Sequence, residues 1–146
     1  MIAYLDSSVL VRSYLPDEDG HADMGRILED PDIAAVTGSL TRIEVSGALV
    51  RAASAGRGDR DGLLKLLDFD LGEHGAVTVL KADQNQVEQT ALQLVRQHAL
   101  RALDALHLAV AQLAVPPLAE PRETIAFVSR DSAQASVAAG LGFEGL

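Results

Sequence analysis

The chain has no cysteine and no tryptophan, and aromatic residues make up only 3% of it. Without thiols there is no disulfide, no thiolate-held zinc and no cysteine nucleophile. So few aromatics leave no evident surface for stacking nucleic-acid bases. No apolar run reaches the roughly 18 residues that a membrane span needs, and no basic segment followed by an apolar signal core opens the chain. These absences lead to the expectation of a cytoplasmic protein without membrane contact. Basic residues are also scarce, with 12 Lys and Arg against 21 Asp and Glu, a formal net charge of −9. That balance argues against a general basic grip on nucleic acid. It suits a bound cation or a basic protein partner, although solubility alone is reason enough for it.

What is present is a core. The 146 residues are 48% hydrophobic, mostly Ala, Leu and Val. A chain of this length buries roughly two-thirds of its unfolded surface, so a single domain over residues 1–146 is expected. Ile2–Leu5, Ile33–Val36, Val77–Leu80 and Ile125–Ser129 read as short strands. Helices are expected up to Tyr14, over Ala22–Leu28, Leu40–Ala53, Leu63–Leu71 and Asp83–Gln97, around Asp104, and over Asp131–Ala139. Ala55–Gly62 reads as a flexible loop, and Pro116, Pro117 and Pro121 punctuate another. Strands alternating with helices indicate an α/β fold, a central parallel sheet flanked by helices on both faces. In such sheets the ligand site lies beyond the carboxyl ends of the strands.

Four acids interrupt mostly apolar segments: Asp6, Glu44, Asp104 and Asp131. Asp6 and Asp131 follow strands and so fall at that edge. Asp104 lies in LRALDALHLAVAQLA, which reads as a buried helix apolar nearly all round. A carboxylate buried there without a partner costs several kcal/mol or takes up a proton. Each acid also has a plainer reading. Asp6 and Asp131 suit helix N-caps, and Thr41 with Glu44 matches a capping box. Asp104 has Arg101 one turn earlier. Taken together, four carboxylates converging on one acidic pocket would repel unless a cation held them. Oxygen-only ligands select a hard ion, Mg2+ or Mn2+. A zinc site on Asp104 and His107 would need His21, His74 or His98, none in zinc spacing. A buried His107 bonded to a backbone carbonyl or a neighbouring acid is the favoured reading. Ser7, Ser8 and Ser129 are turn or cap residues by default, with hydroxyls suited to ligand carboxylates or phosphate oxygens beside an acidic pocket. No glycine-rich phosphate loop follows a strand.

At these residues the chain resembles the PIN domain family, and within it the VapC-type ribonuclease toxins of bacterial toxin–antitoxin pairs. YLDSSVLVRSYL resembles the opening strand with its first acid, and LTRIEVSGALVR the helix with the second. LRALDALHLAVA is similar to the helix with the third acid, and FVSRDSAQASVAAGLGFEGL to the closing strand, fourth acid and tail. The resemblance implies Mg2+-dependent endonucleolytic cleavage of RNA, with Mn2+ able to substitute, a homodimer, and a cognate VapB-type antitoxin that blocks the acidic site. It implies that Asp6 and Asp104 are the principal metal-site acids and that Glu44 orients or deprotonates the attacking water. Asp131 would be a peripheral fourth acid, with Ser8 and Ser129 as supporting hydroxyls. The stretch Pro116–Arg122 is long for its position in this family.

Two other enzyme classes compete with this reading. A haloacid-dehalogenase-like phosphohydrolase needs a second Asp two residues after Asp6, where this chain has Ser8. A receiver-type phosphoacceptor needs paired acids after the first strand and a lysine near the last, where Ser7 and Arg130 stand. A non-catalytic binding module would leave Asp104 unexplained, and a housekeeping PIN nuclease remains the alternative to a toxin.

Overall fold

The computed structural model describes all 146 residues. Four strands, β1 (Ile2–Leu5), β2 (Ala34–Gly38), β3 (Val77–Leu80) and β4 (Ile125–Val128), form one parallel sheet in the order β3-β2-β1-β4. Helices α1 (Ser7–Tyr14) and α2 (His21–Glu29) link β1 to β2, and α3 (Leu40–Ser54) and α4 (Arg60–Asp70) link β2 to β3. Helices α5 (Gln84–Gln97) and α6 (Ala102–Ala114) lead to β4, and α7 (Ser132–Gly140) follows it. Strand β1 is central: Ala3 stands opposite Ala35 of β2 and Ala126 of β4.

Side-chain alternation along the strands divides the core into two layers. Ala3, Leu5, Ala35, Ala126 and Val128 face the layer packed by α1 to α4, with Leu49 and Leu67 fully buried in it. Ile2, Tyr4, Val36 and Phe127 face the layer packed by α5 to α7. In that second layer Tyr4 and Phe127 stack with ring centroids 5.3 Å apart. A sheet covered on both faces explains why its strands read as nearly unbroken apolar runs.

Helix starts follow local chemistry. Asp6, Asp59, Asp83 and Asp131 each accept a hydrogen bond from a backbone N–H in the first turn of α1, α4, α5 and α7. The Asp59 cap corrects the expected loop over Ala55–Gly62, because Arg60, Asp61 and Gly62 form the first turn of α4. Pro116–Leu118 winds into a single 3-10 turn. No helix is long and apolar enough to cross a membrane.

Candidate active site

The sheet's carboxyl edge collects all four acids, but in two groups. Asp6 leaves β1 and caps α1; its carboxylate accepts from the Ser8 hydroxyl at 2.6 Å and the Ser8 N–H at 3.4 Å. The cap and a place at the edge are therefore one arrangement. Asp131 is similar: it accepts from the Gln134 N–H at 2.9 Å, while its own N–H donates to Ser129 Oγ at 3.0 Å. Ser129 donates to the Gln134 side-chain carbonyl, and Gln134 Nε2 donates to the Asp104 backbone carbonyl at 3.1 Å. The fully buried Gln134 thus fastens α7, the end of β4 and the start of α6 into one unit.

Asp104 is not deeply buried. It occupies the first turn of α6, its side chain 23% exposed, and its neighbour Leu103 is 48% exposed. The burying face of α6 is Ala105, His107, Leu108, Ala109 and Ala111, so the helix is apolar on one side and open at its start. Arg101 stands between two of the acids, 3.8 Å from Asp104 and 3.7 Å from Asp131, but its side chain is 85% exposed. Such an exposed cation contributes little. Accordingly Asp104 holds its proton more tightly than an ordinary aspartate, first because it is partly desolvated and then because Asp6 and Asp131 repel its charge.

Glu44 does not close a capping box. Helix α3 begins at Leu40 behind Ser39, which caps nothing with its side chain. Glu44 and Thr41, one turn apart, point instead toward Ser7 at the start of α1. Glu44 accepts from Ser7 Oγ at 2.6 Å and from His107 Nε2 at 2.6 Å. Thr37 donates to the Leu5 carbonyl at 2.7 Å, so Thr41 donates to Thr37 at 2.6 Å. Burial opposes ionisation of Glu44, yet the hydrogen bonds from His107 and Ser7 outweigh it and hold the carboxyl below its ordinary range.

His107 joins the two groups. Its Nε2 lies 2.6 Å from Glu44 and 3.5 Å from Asp6, and its Nδ1 lies 3.0 Å from the Tyr4 hydroxyl. Burial, then the nearby Asp6, raise the Tyr4 pKa, so the phenol stays neutral and donates to Nδ1, leaving the hydrogen on Nε2 for Glu44. Gly38 makes room for that phenol: a Cβ there would stand 2.7 Å from the Tyr4 oxygen. The buried-histidine reading of His107 therefore holds, with Glu44 as its acid. Tyr4 and Gln134 were missed, because a strand tyrosine and a helix glutamine carry no local signal of what they touch. The run of Asp6, Ser7 and Ser8 did hint that Ser7 belonged to the site.

The donors are oxygen atoms of like charge, one with raised proton affinity, which fits a hard divalent cation in kind. As placed, no three of the Asp, Glu and His side chains stand together in a group able to hold an ion. The four acids do not line the neighbouring cavity. A cavity of about 370 Å3 opens beside them, over the ends of β2 and β3.

A doubly covered parallel sheet with acids at its carboxyl edge defines an α/β protein with a candidate hydrolytic site. The sequence pattern of the PIN domain matches residues 3–140, and the chain belongs to the PIN domain family. Among solved structures it is similar to VapBC-1 from nontypeable Haemophilus influenzae, at 14% identity and a TM-score of 0.60, over 100% of this chain and 97% of that one. It is also similar to a toxin–antitoxin complex from Klebsiella pneumoniae, at 17% identity and a TM-score of 0.55, over 90% of this chain and 88% of that one. No match is found among curated proteins.

Proposed function

We propose that the protein is a metal-dependent endoribonuclease, the toxin of a toxin–antitoxin pair. The observation that carries this reading is the placement of Asp104, in the first turn of α6, beside Asp6 and Asp131 at the carboxyl edge of the sheet; partial desolvation and then the charges of those two acids raise its proton affinity. Membership of the PIN domain family supports nuclease chemistry, and two solved structures of similar fold are a toxin–antitoxin complex and VapBC-1.

Asp6 and Asp104 would hold Mg2+, or Mn2+ in its place, with Asp131 beside them. A bound divalent cation offsets charge developing on a phosphodiester and lowers the pKa of water. Glu44, ionised and oriented by Ser7 and His107, accepts the proton of the attacking water. Ser8 keeps the Asp6 carboxylate in place, and Ser129 does the same for Asp131 through Gln134. The phosphohydrolase alternative has no second aspartate: the Ser8 hydroxyl donates to Asp6.

A VapB-type antitoxin with an arginine-bearing basic tail is the partner that a chain of charge −9 favours, since an arginine can replace the cation's charge among these acids. The active form is read as a homodimer. The test is incubation of purified protein with total RNA, with and without Mg2+, and mapping of new ends by sequencing. Asp104→Asn must abolish the cleavage that Mg2+ supports; cleavage at the wild-type rate refutes the site. Growth arrest on expression alone, relieved by the product of a neighbouring reading frame, identifies a toxin. A harmless protein that cleaves RNA and captures no partner is a housekeeping PIN nuclease.

A further inference from the structure

The cavity beside the acids is unused by the chemistry above. It lies over the ends of β2 and β3, whereas Asp6 and Asp131 stand at the ends of β1 and β4. His107 and Tyr4 belong to both places: they line the cavity and they position Glu44. The floor is tight, since any side chain at Gly38 would strike the Tyr4 oxygen at 2.7 Å and meet Val110 at 3.4 Å. The walls are aliphatic, with Leu80 and Val87 on one side and Leu106 and Val110 on the other. The rim is polar. Lys81 is the one cationic side chain among the residues that line the cavity, and it forms no ion pair. Glu88 is on the same rim, one oxygen taken by the Gln84 side-chain amide at 2.9 Å.

We propose that this cavity is a nucleobase subsite, holding a base of single-stranded RNA one or two nucleotides from the bond that is cut. The proposal rests on the nuclease reading and assigns the part of the substrate that sets sequence preference. One to two strand spacings, about 5–10 Å, separate the end of β1 from the ends of β2 and β3. A strand laid along the sheet edge with its scissile phosphate at the acids therefore brings a neighbouring nucleotide over the cavity. An apolar slot with polar groups at its mouth is what an unstacked base requires, and a base held in a duplex cannot enter it. Lys81 meets the phosphate of that nucleotide, in a chain otherwise repulsive to RNA. The free oxygen of Glu88 accepts from an exocyclic amino group, which adenine, cytosine and guanine carry. Uracil has no exocyclic amino group, and its one donor on that edge, N3–H, is flanked by two carbonyls that repel a carboxylate, so it is disfavoured.

The experiment compares wild type, Ala82→Trp, Lys81→Ala and Glu88→Gln on a randomised single-stranded RNA with Mg2+, reading kcat, KM and the sequence around each cut. Ala82 is half-buried in the cavity wall, so tryptophan there fills the space. Wild type should disfavour uracil at one position beside the cut. Ala82→Trp should erase that preference and raise KM about tenfold, the worth of one good base contact, with kcat little changed. Lys81→Ala should raise KM for every sequence and flatten its salt dependence. Glu88→Gln, on the exposed rim and harmless to folding, should admit uracil even if Ala82→Trp fails to fold. Wild-type cleavage with the same preference and KM in the variants overturns the subsite and leaves the nuclease reading intact. Absence of cleavage by wild type overturns both. Unchanged cleavage by Ala82→Trp with weakened capture of a co-expressed antitoxin assigns the cavity to a protein partner and overturns the base assignment.

Discussion

Gly38→Ala should be destabilising in the wild-type protein and harmless once Tyr4→Phe is also present. Gly38 ends β2 in a buried position, and an added Cβ would stand 2.7 Å from the Tyr4 oxygen. The next atoms, of Val110, are at 3.4 and 3.7 Å, ordinary contacts. The entire obstruction is therefore one hydroxyl. Forcing it aside costs about 1–3 kcal/mol as overpacking of a tight core. Tyr4→Phe alone removes the donor to His107 Nδ1 and costs about 1–3 kcal/mol, because that buried nitrogen is left unpaired. With the hydroxyl gone, Gly38→Ala no longer collides with anything, and the stiffer unfolded chain gives it a gain of about 0.4–1 kcal/mol. The effect of the same substitution thus changes sign, a coupling of about 1.5–4 kcal/mol between the two positions. Urea unfolding of the four proteins measures it, provided the m-value stays constant across the set. Additivity within about 0.5 kcal/mol would refute the claim that the phenol is what Gly38 accommodates.

Asp104→Asn should hold or raise thermal stability at neutral pH while abolishing cleavage. The raised pKa of Asp104 means that its ionised form costs stability above the carboxylate range, so the gain should shrink as pH falls and the wild-type carboxyl takes up its proton; melting curves at pH 4 and pH 7 on the order of these values decide it. Glu44 has the opposite sign: its depressed pKa contributes stability above the ordinary carboxylate range that is lost as pH falls through the lower folded value. Glu44→Gln should therefore flatten the acid limb of the stability profile, and an unchanged limb would show that His107 and Ser7 do not favour the carboxylate. Asp131→Ala should cost about 0.5–2 kcal/mol through loss of the α7 cap, whereas Asp131→Asn should keep the cap and isolate any effect on cleavage.

Much of the architecture is written locally. Val77–Leu80 and Ile2–Leu5 are strands at the bounds their apolar runs suggest; Ile2–Leu5 is buried throughout because both faces of the sheet are covered there, whereas Val77–Leu80, at the sheet edge, leaves Thr78 exposed. At Asp59 the cap draws a glycine-rich stretch into α4, and a loop composition hides that. At the site, the acids themselves were legible because each breaks an apolar segment. Their partners were not. The pattern Thr41 to Glu44 is the same whether Glu44 turns back to its own helix or outward to His107, and the choice depends on residues far away in sequence. The open first turn of α6 was hidden for a related reason, since the leucines around Asp104 look alike whether they face the sheet or, as Leu103 does, the solvent.

The central place of β1 carries a consequence for how the protein comes into being. Its neighbours in the sheet are β2, made soon after it, and β4, made last of the four strands. Asp6 and Glu44 emerge early in synthesis, Asp104 and Asp131 only after most of the chain has been translated. A nascent chain that has reached the end of α5 therefore has β1 with one flank bare and only half of its acids. No early portion of the polypeptide contains the complete constellation, so its assembly is timed by translation itself.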